Sequence, residues 1–143
     1  MKAKALLSAT TELEVQFFDV DSMRVVWHGN YVKYLEVARC ELLKLFDYNY
    51  LQMEASGYMW PIVDMRLKYV ASAKLSEWIT IEARLVEYQT RLKIDYVVRD
   101  KTTGTILTKA HTIQVAVEMA SGEMSFITPQ CLIDNLAPFL EKE

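Results

Sequence analysis

Cysteine is scarce in this chain. Cys40 and Cys131 are the only two among 143 residues. They are too few and too far apart for a disulfide framework, and no Cys-x-x-Cys or paired-histidine spacing offers a zinc set. Such usage fits a reducing, cytoplasmic setting. Glycine and proline are also rare, at 4 and 3 residues, which argues against disorder. There is no basic excess. The formal net charge of −3 has the wrong sign for a dedicated nucleic-acid binder. Long apolar runs are missing too. Met1–Leu7 starts faintly like a signal, but the run stops at Ser8, with Thr10, Thr11 and Glu12 following, too short for a signal core. No stretch approaches the roughly 20 apolar residues of a membrane helix.

What is present is enough hydrophobic residue, 52% against 24% charged, for one domain with a real core. The reading is a single domain over 1–143, core about 12–128, with a C-terminal helix over about 129–141. Glu12 to Val20 alternates, with Leu13, Val15 and Phe17 on one face, and predicts a first strand. From Gly29 to Asp47 the period becomes helical through Tyr31, Leu35, Ala38, Leu42, Leu45 and Phe46. Val37, Cys40 and Leu43 widen the apolar surface, as in a buried helix. Leu51 to Ser56 adds a short helical turn ended by Gly57. Strand patterns then fill Met59–Tyr69 (Met59, Pro61, Val63, Met65, Leu67 and Tyr69 on one face), Trp78–Val86, Arg91–Arg99 and Thr105–Met119, with a short one at Met124–Ile127. In the fourth of these, His111, Ile113, Val115 and Val117 share a face, which reads His111 as a core histidine. Thr128 and Pro129 open a last helix as cap and first residue. Tight turns make neighbouring strands antiparallel. One long helix with one antiparallel sheet is an α+β design.

The stretch from Phe17 to Tyr31 stands apart. It turns from strand to helix and places Asp21 and His28 at the turn. A helix start offers unpaired N–H groups and a positive dipole end. A carboxylate, an imidazole and free amides together can hydrolyse an acyl bond.

The residues of this stretch resemble a family signature. Asp19-Val20-Asp21, Val25-Val26-Trp27-His28 and Asn30-Tyr31 follow the pattern of the hotdog-fold acyl-CoA thioesterases, in the 4-hydroxybenzoyl-CoA thioesterase and YbgC-like branch. The likeness runs from about Leu13 to Leu136 and takes in Pro61-Ile62-Val63 and the strand from Trp78. It implies a hotdog fold, an antiparallel sheet wrapped around a long central helix. The chain departs from the family at Met23-Arg24, where a small residue or glycine is usual.

The resemblance also implies a site. Asp21 matches the catalytic carboxylate, which can activate water or attack the thioester carbonyl itself. Asp19 reads as a turn or capping residue. A thiolate leaves readily, so the oxyanion needs the help, and backbone amides near His28 and Gly29 are its expected donors. His28 matches a His/Tyr position able to orient water, hold the carbonyl or protonate the leaving group. Trp27, Asn30 and Tyr31 complete the positioning set, and Gly29 would admit substrate close to the backbone. Pro61, Ile62 and Val63 match an acyl-pocket segment donated across a dimer interface. Phosphates of CoA need cations, and Arg91, Lys93, Arg84 and Lys68, with Arg66 beside them, lie opposite the apolar strand faces. No cofactor and no metal is implied. The expected partners are an acyl-CoA or acyl-carrier-protein thioester and further copies of the chain, a dimer at minimum and up to a tetramer, with no nucleic acid and no membrane. Two other readings of the same fold are a non-catalytic acyl-thioester-binding protein and a dehydratase or hydratase.

Overall fold

The computed structural model describes residues 6–140. Two strands follow the expected alternation without change. β4 (Trp78–Glu87) and β5 (Leu92–Asp100) turn Ile79, Ile81, Ala83 and Leu85, and Leu92, Ile94, Tyr96 and Val98, fully into the core. With β1 (Leu7–Glu14), β3 (Ile62–Tyr69) and β6 (Ile106–Gln114) they form a five-stranded sheet in the order β1-β4-β5-β6-β3. Every pairing in it is antiparallel. β2 (Tyr58–Met59), β7 (Ala116–Glu118) and β8 (Met124–Ser125) make a small second sheet.

The long helix α1 (Asn30–Lys44) packs on one face of the large sheet, against β1 and β4. Its 15 residues span roughly 22 Å at about 1.5 Å each. Tyr31, Leu35, Ala38, Leu42 and Leu43 are buried. The helix is shorter than the Gly29–Asp47 pattern. Asp47 adopts a left-handed backbone (φ 54°) and the Tyr48 N–H bonds back to the Leu43 carbonyl at 3.1 Å, a capping geometry that ends helices. Nor is α1 apolar contact all round: Val32 and Val37 are exposed, as is Leu45 just past its end. Conversely Arg39, unremarked in the periodicity, is buried and bonded to Glu36 and to the Tyr50 hydroxyl. The short helix α2 (Tyr50–Ser56) stops where expected, at Gly57 (φ 85°).

Several expectations are corrected. The first strand ends at Glu14, not Val20. The Asp19 carboxylate accepts the Gln16 N–H at 2.9 Å and bends Phe17–Asp19 into a 3-10 turn, which leaves Phe17 82% exposed. The expected strand over Met59–Tyr69 is broken at Pro61, which has no N–H to donate. Trp60 there is buried while Met59 is exposed, the reverse of the assigned faces.

The strand expected over Thr105–Met119 divides at Val115, whose N–H goes to the Pro61 carbonyl at 3.3 Å. Its inward residues are Thr108, Thr112 and Gln114, not His111. Thr112 shares a 2.8 Å hydrogen bond with the Tyr96 hydroxyl, and the Gln114 Nε2 donates to the Trp60 carbonyl at 2.8 Å, while the Gln114 Oε1 has no partner among the described residues. Hydrogen-bonded polar groups tolerate burial. The last short strand is only Met124–Ser125, with Phe126 and Ile127 exposed. The helix α3 (Gln130–Leu140) follows the expected apolar side through Leu132 and Leu136, both fully buried. Its start differs, because the Thr128 hydroxyl donates to the Tyr88 carbonyl and the Pro129 carbonyl accepts the Leu132 N–H at 3.1 Å. No helix among the described residues is long and apolar enough to cross a membrane.

Candidate active site

The segment between β1 and α1 is a small hairpin followed by a turn. Val20 and Val26 bridge antiparallel, flanked by Asp21 N–H to Val25 O at 2.9 Å and Trp27 N–H to Asp19 O at 3.0 Å. At its tip, the Asp21 Oδ1 accepts the Met23 N–H at 2.8 Å and the Asp21 carbonyl accepts the Arg24 N–H at 2.9 Å. A carboxylate bonded to the backbone two residues on is an ordinary turn device. It occupies one oxygen and leaves Oδ2 without a hydrogen-bond donor among the described residues. Arg24 has φ 64°, a conformation that suits glycine. Arg24 thus holds, within the Met23-Arg24 pair, a backbone conformation that a glycine would adopt without strain.

The chain then makes a β-turn over Trp27–Asn30, closed by the Asn30 N–H to the Trp27 carbonyl at 2.8 Å. Asn30 is buried and opens α1. Its side-chain amide donates to the Asp19 carbonyl at 2.7 Å, so Asn30 and Trp27 both hold that one oxygen. Tyr31 is a core residue whose hydroxyl accepts the Ala73 N–H at 3.2 Å. Burial raises its pKa above the ordinary tyrosine value and outweighs the opposing Ala73 bond. Tyr34 is raised as well, by burial and then by the neighbouring Asp19 carboxylate. Asp19 is a turn and capping residue, as expected, its carboxylate accepting the Gln16 N–H, and its carbonyl in addition braces the helix start through Asn30.

His28 is exposed, its ring tilted on Trp27 at 5.0 Å and edge-on to Tyr69 at 6.2 Å. The backbone N–H groups of His28 and Gly29 have no acceptor among the described residues. Gly29 has helical φ and ψ, so its need for glycine is spatial: a Cβ there would overlap the Trp27 ring. The indole approaches this glycine closely.

The structure gathers some of the expected residues and separates others. Asp21 lines an open depression with Phe17, Phe18, Val20 and Leu75, while His28 lies outside it and makes no hydrogen bond or ion pair with Asp21. Pro61, Ile62 and Val63 are exposed at the start of β3, an edge strand, with a register break between Ile62 and Asp64.

The cations divide as well. Arg91 is paired with Glu87 through two hydrogen bonds of 2.8 and 3.2 Å, which hold the Glu87 carboxyl below its ordinary value. Arg84, Lys93, Lys68 and Arg66 instead converge, with Lys109 and His111, on a shallow concavity of about 400 Å³. It lies on the sheet face opposite α1. His111 stands across from Arg66 on one side and Asp95 on the other, so the histidine read as a core residue belongs to this charged face. The polar side chains that ended up inside β6 had displaced it. Among the described residues none of these five cations is in an ion pair, and no His, Cys, Asp and Glu cluster is arranged to hold a metal ion.

Fold and turn together define a hotdog protein of the thioesterase type, and comparison with known proteins agrees. The model of the thioesterase-like superfamily matches residues 15–140; the chain belongs to that family. YneP of Bacillus subtilis, whose name provisionally assigns it an acyl-CoA thioesterase activity, is 31% identical over 77 residues, covering 54% of this chain and 56% of YneP. The acyl-CoA thioester hydrolase YbgC of Escherichia coli O157:H7 is 24% identical over 106 residues, 74% of this chain and 79% of YbgC. A structure of a 4-hydroxybenzoyl CoA thioesterase mutant complexed with 4-hydroxybenzoyl CoA superposes with a TM-score of 0.77. It is 20% identical and covers 90% of this chain and 97% of that one.

Proposed function

We propose that this chain hydrolyses acyl-CoA thioesters at the turn that opens α1. The observation that carries the reading is a free carboxylate oxygen on Asp21 and two acceptor-less amides, His28 and Gly29, within one short segment. The Asp21 carboxylate either takes a proton from water as it attacks the acyl carbon or attacks that carbon itself. In the second route a mixed anhydride forms and water opens it. Both routes break the C–S bond, expel the thiolate and leave a free acid. The transient oxyanion falls to the His28 and Gly29 amides, at the positive end of the helix dipole. His28, exposed at the same turn, is the candidate to orient water or the leaving group. Asn30 and Tyr31 serve the site by holding the turn, and Trp27 by covering one side of Gly29.

A second copy of the chain completes the site in this reading. The exposed Pro61–Val63 segment begins an edge strand whose outer N–H and C=O groups call for a partner, and edge-to-edge pairing would carry it toward the other copy's turn. A homodimer is then the working unit and a tetramer its possible doubling. Arg84, Lys93 and Lys68 are free to meet CoA phosphates; Arg91 would have to release Glu87 first. A cytoplasmic location fits this substrate.

The test is free-thiol release from aromatic and aliphatic acyl-CoAs by wild type and Asp21→Asn. Asparagine retains the oxygen that accepts the Met23 N–H, so the variant keeps its turn. The expected result is turnover in wild type and a fall of about 100-fold or more in the variant, the scale of losing a general base. Turnover that survives the substitution rejects Asp21. No turnover on any acyl-CoA, with binding retained, would favour a non-catalytic thioester-binding protein.

A further inference from the structure

Both free amides of the Trp27–Asn30 turn belong to peptide units whose carbonyl ends are held. The carbonyl of Trp27, in the same unit as the His28 N–H, accepts the Asn30 N–H at 2.8 Å. The carbonyl of His28, in the same unit as the Gly29 N–H, accepts the Tyr69 hydroxyl at 2.9 Å. A trans peptide is planar, with its C=O and N–H pointing opposite ways, and no peptide bond among the described residues is cis. Holding a carbonyl therefore aims the amide behind it.

The first hold is local to the turn, but the second comes from the far end of β3. There Tyr69 is paired with Thr108 in the sheet and its ring stands edge-on to Tyr31 at 5.5 Å and to His28 at 6.2 Å. The half-exposed ring thus lies between a core residue and the turn, with its hydroxyl at the His28 carbonyl.

We propose that Tyr69 is a positioning residue of the thioesterase reaction: its hydroxyl fixes the His28–Gly29 peptide so that the Gly29 amide faces the developing oxyanion. It touches no reacting atom and acts through the peptide plane. The inference rests on the thioesterase reading above. Oxyanion donors work because they are oriented before charge develops. Without Tyr69 the Gly29 amide reorients at some cost in the transition state and little in substrate binding. In kinetic terms the loss belongs in kcat, not KM.

The experiment is Tyr69→Phe, which keeps the ring and its aromatic neighbours and removes only the hydroxyl. The expected result is a kcat lowered about tenfold, the scale of one hydrogen bond near 1.4 kcal/mol, with KM changed by less than about twofold. The 15N order parameter of the Gly29 amide, measured by NMR without substrate, should fall in the variant while those of β4 and β5 stay as in wild type. Wild-type turnover with an unchanged kcat in Tyr69→Phe overturns the proposal. So does an unchanged Gly29 order parameter, whatever the kinetics. A wild type that turns over no thioester would instead sink the functional reading, and the order parameter would still decide whether Tyr69 holds the peptide.

Discussion

The turn at the start of α1 and the charged outer face of the sheet carry polarity in opposite ways. At the turn, the backbone is irregular and its groups do the work. Asp19, Asn30, Tyr31 and Tyr69 spend their side-chain or main-chain polar atoms on holding neighbouring peptides, and what remains free is two amides and one carboxylate oxygen. On the outer face the backbone is a regular ladder, and the free groups are side chains: Arg66, Lys68, Arg84, Lys93 and Lys109. The first region is built for direction and the second for charge. Substitutions at the turn should therefore act steeply and locally, while those on the sheet face should act in a graded way that salt screens.

That contrast can be broken most forcefully at Asn30. Asn30→Ala removes the buried amide that donates to the Asp19 carbonyl. The expected cost is about 1–3 kcal/mol in denaturant unfolding, together with loss of thiol release. A variant as stable and active as wild type would show that the turn does not depend on its brace.

A smaller effect of the opposite sign is expected at Arg24. Its φ of 64° costs a residue with a side chain about 1 kcal/mol relative to glycine, so Arg24→Gly should raise the thermal midpoint. Calorimetry that finds Arg24→Gly less stable would mean the arginine side chain holds the tip.

The smallest effect sharpens the charged side. Arg91 lowers the Glu87 carboxyl. A carboxyl depressed on folding stabilises above its ordinary range and loses that contribution as pH falls through its folded value. Both side chains are about two-fifths exposed, so the effect is slight. The gap in thermal midpoint between wild type and Glu87→Gln should narrow as pH is lowered through the carboxylate range. A gap independent of pH would remove the pair from the stability of the fold.

Much of this was legible in the sequence where burial and polarity alternate in step. β4 obeys that rule along its inward face and β5 does so except at Val97, an outer-face residue that is buried as well, and the Asp19–Tyr31 signature located the turn. The rule fails where hydrogen bonding substitutes for apolarity. Thr112 and Gln114 enter the core because Tyr96 and Trp60 receive them, and so β6 was read inside out, with His111 on the wrong face. It fails again where alternation outlasts the strand: Phe17 continues the beat of Leu13 and Val15, but the Asp19 cap has already turned the chain. At the site, the sequence named Asp21, His28 and Gly29. It offered no sign of Tyr69 beyond a place on a strand, because its bond to His28 spans 41 positions and has no local pattern.

The most direct test of the contrast is kcat and KM measured separately on one acyl-CoA for Asp21→Asn and for the double variant Arg84→Gln/Lys93→Gln. The account predicts a kcat about 100-fold lower with KM little changed in the first. In the second it predicts a raised KM, less salt-dependent than wild type, with kcat retained. An Asp21→Asn enzyme with full kcat, or a double variant whose loss falls in kcat alone, would contradict it.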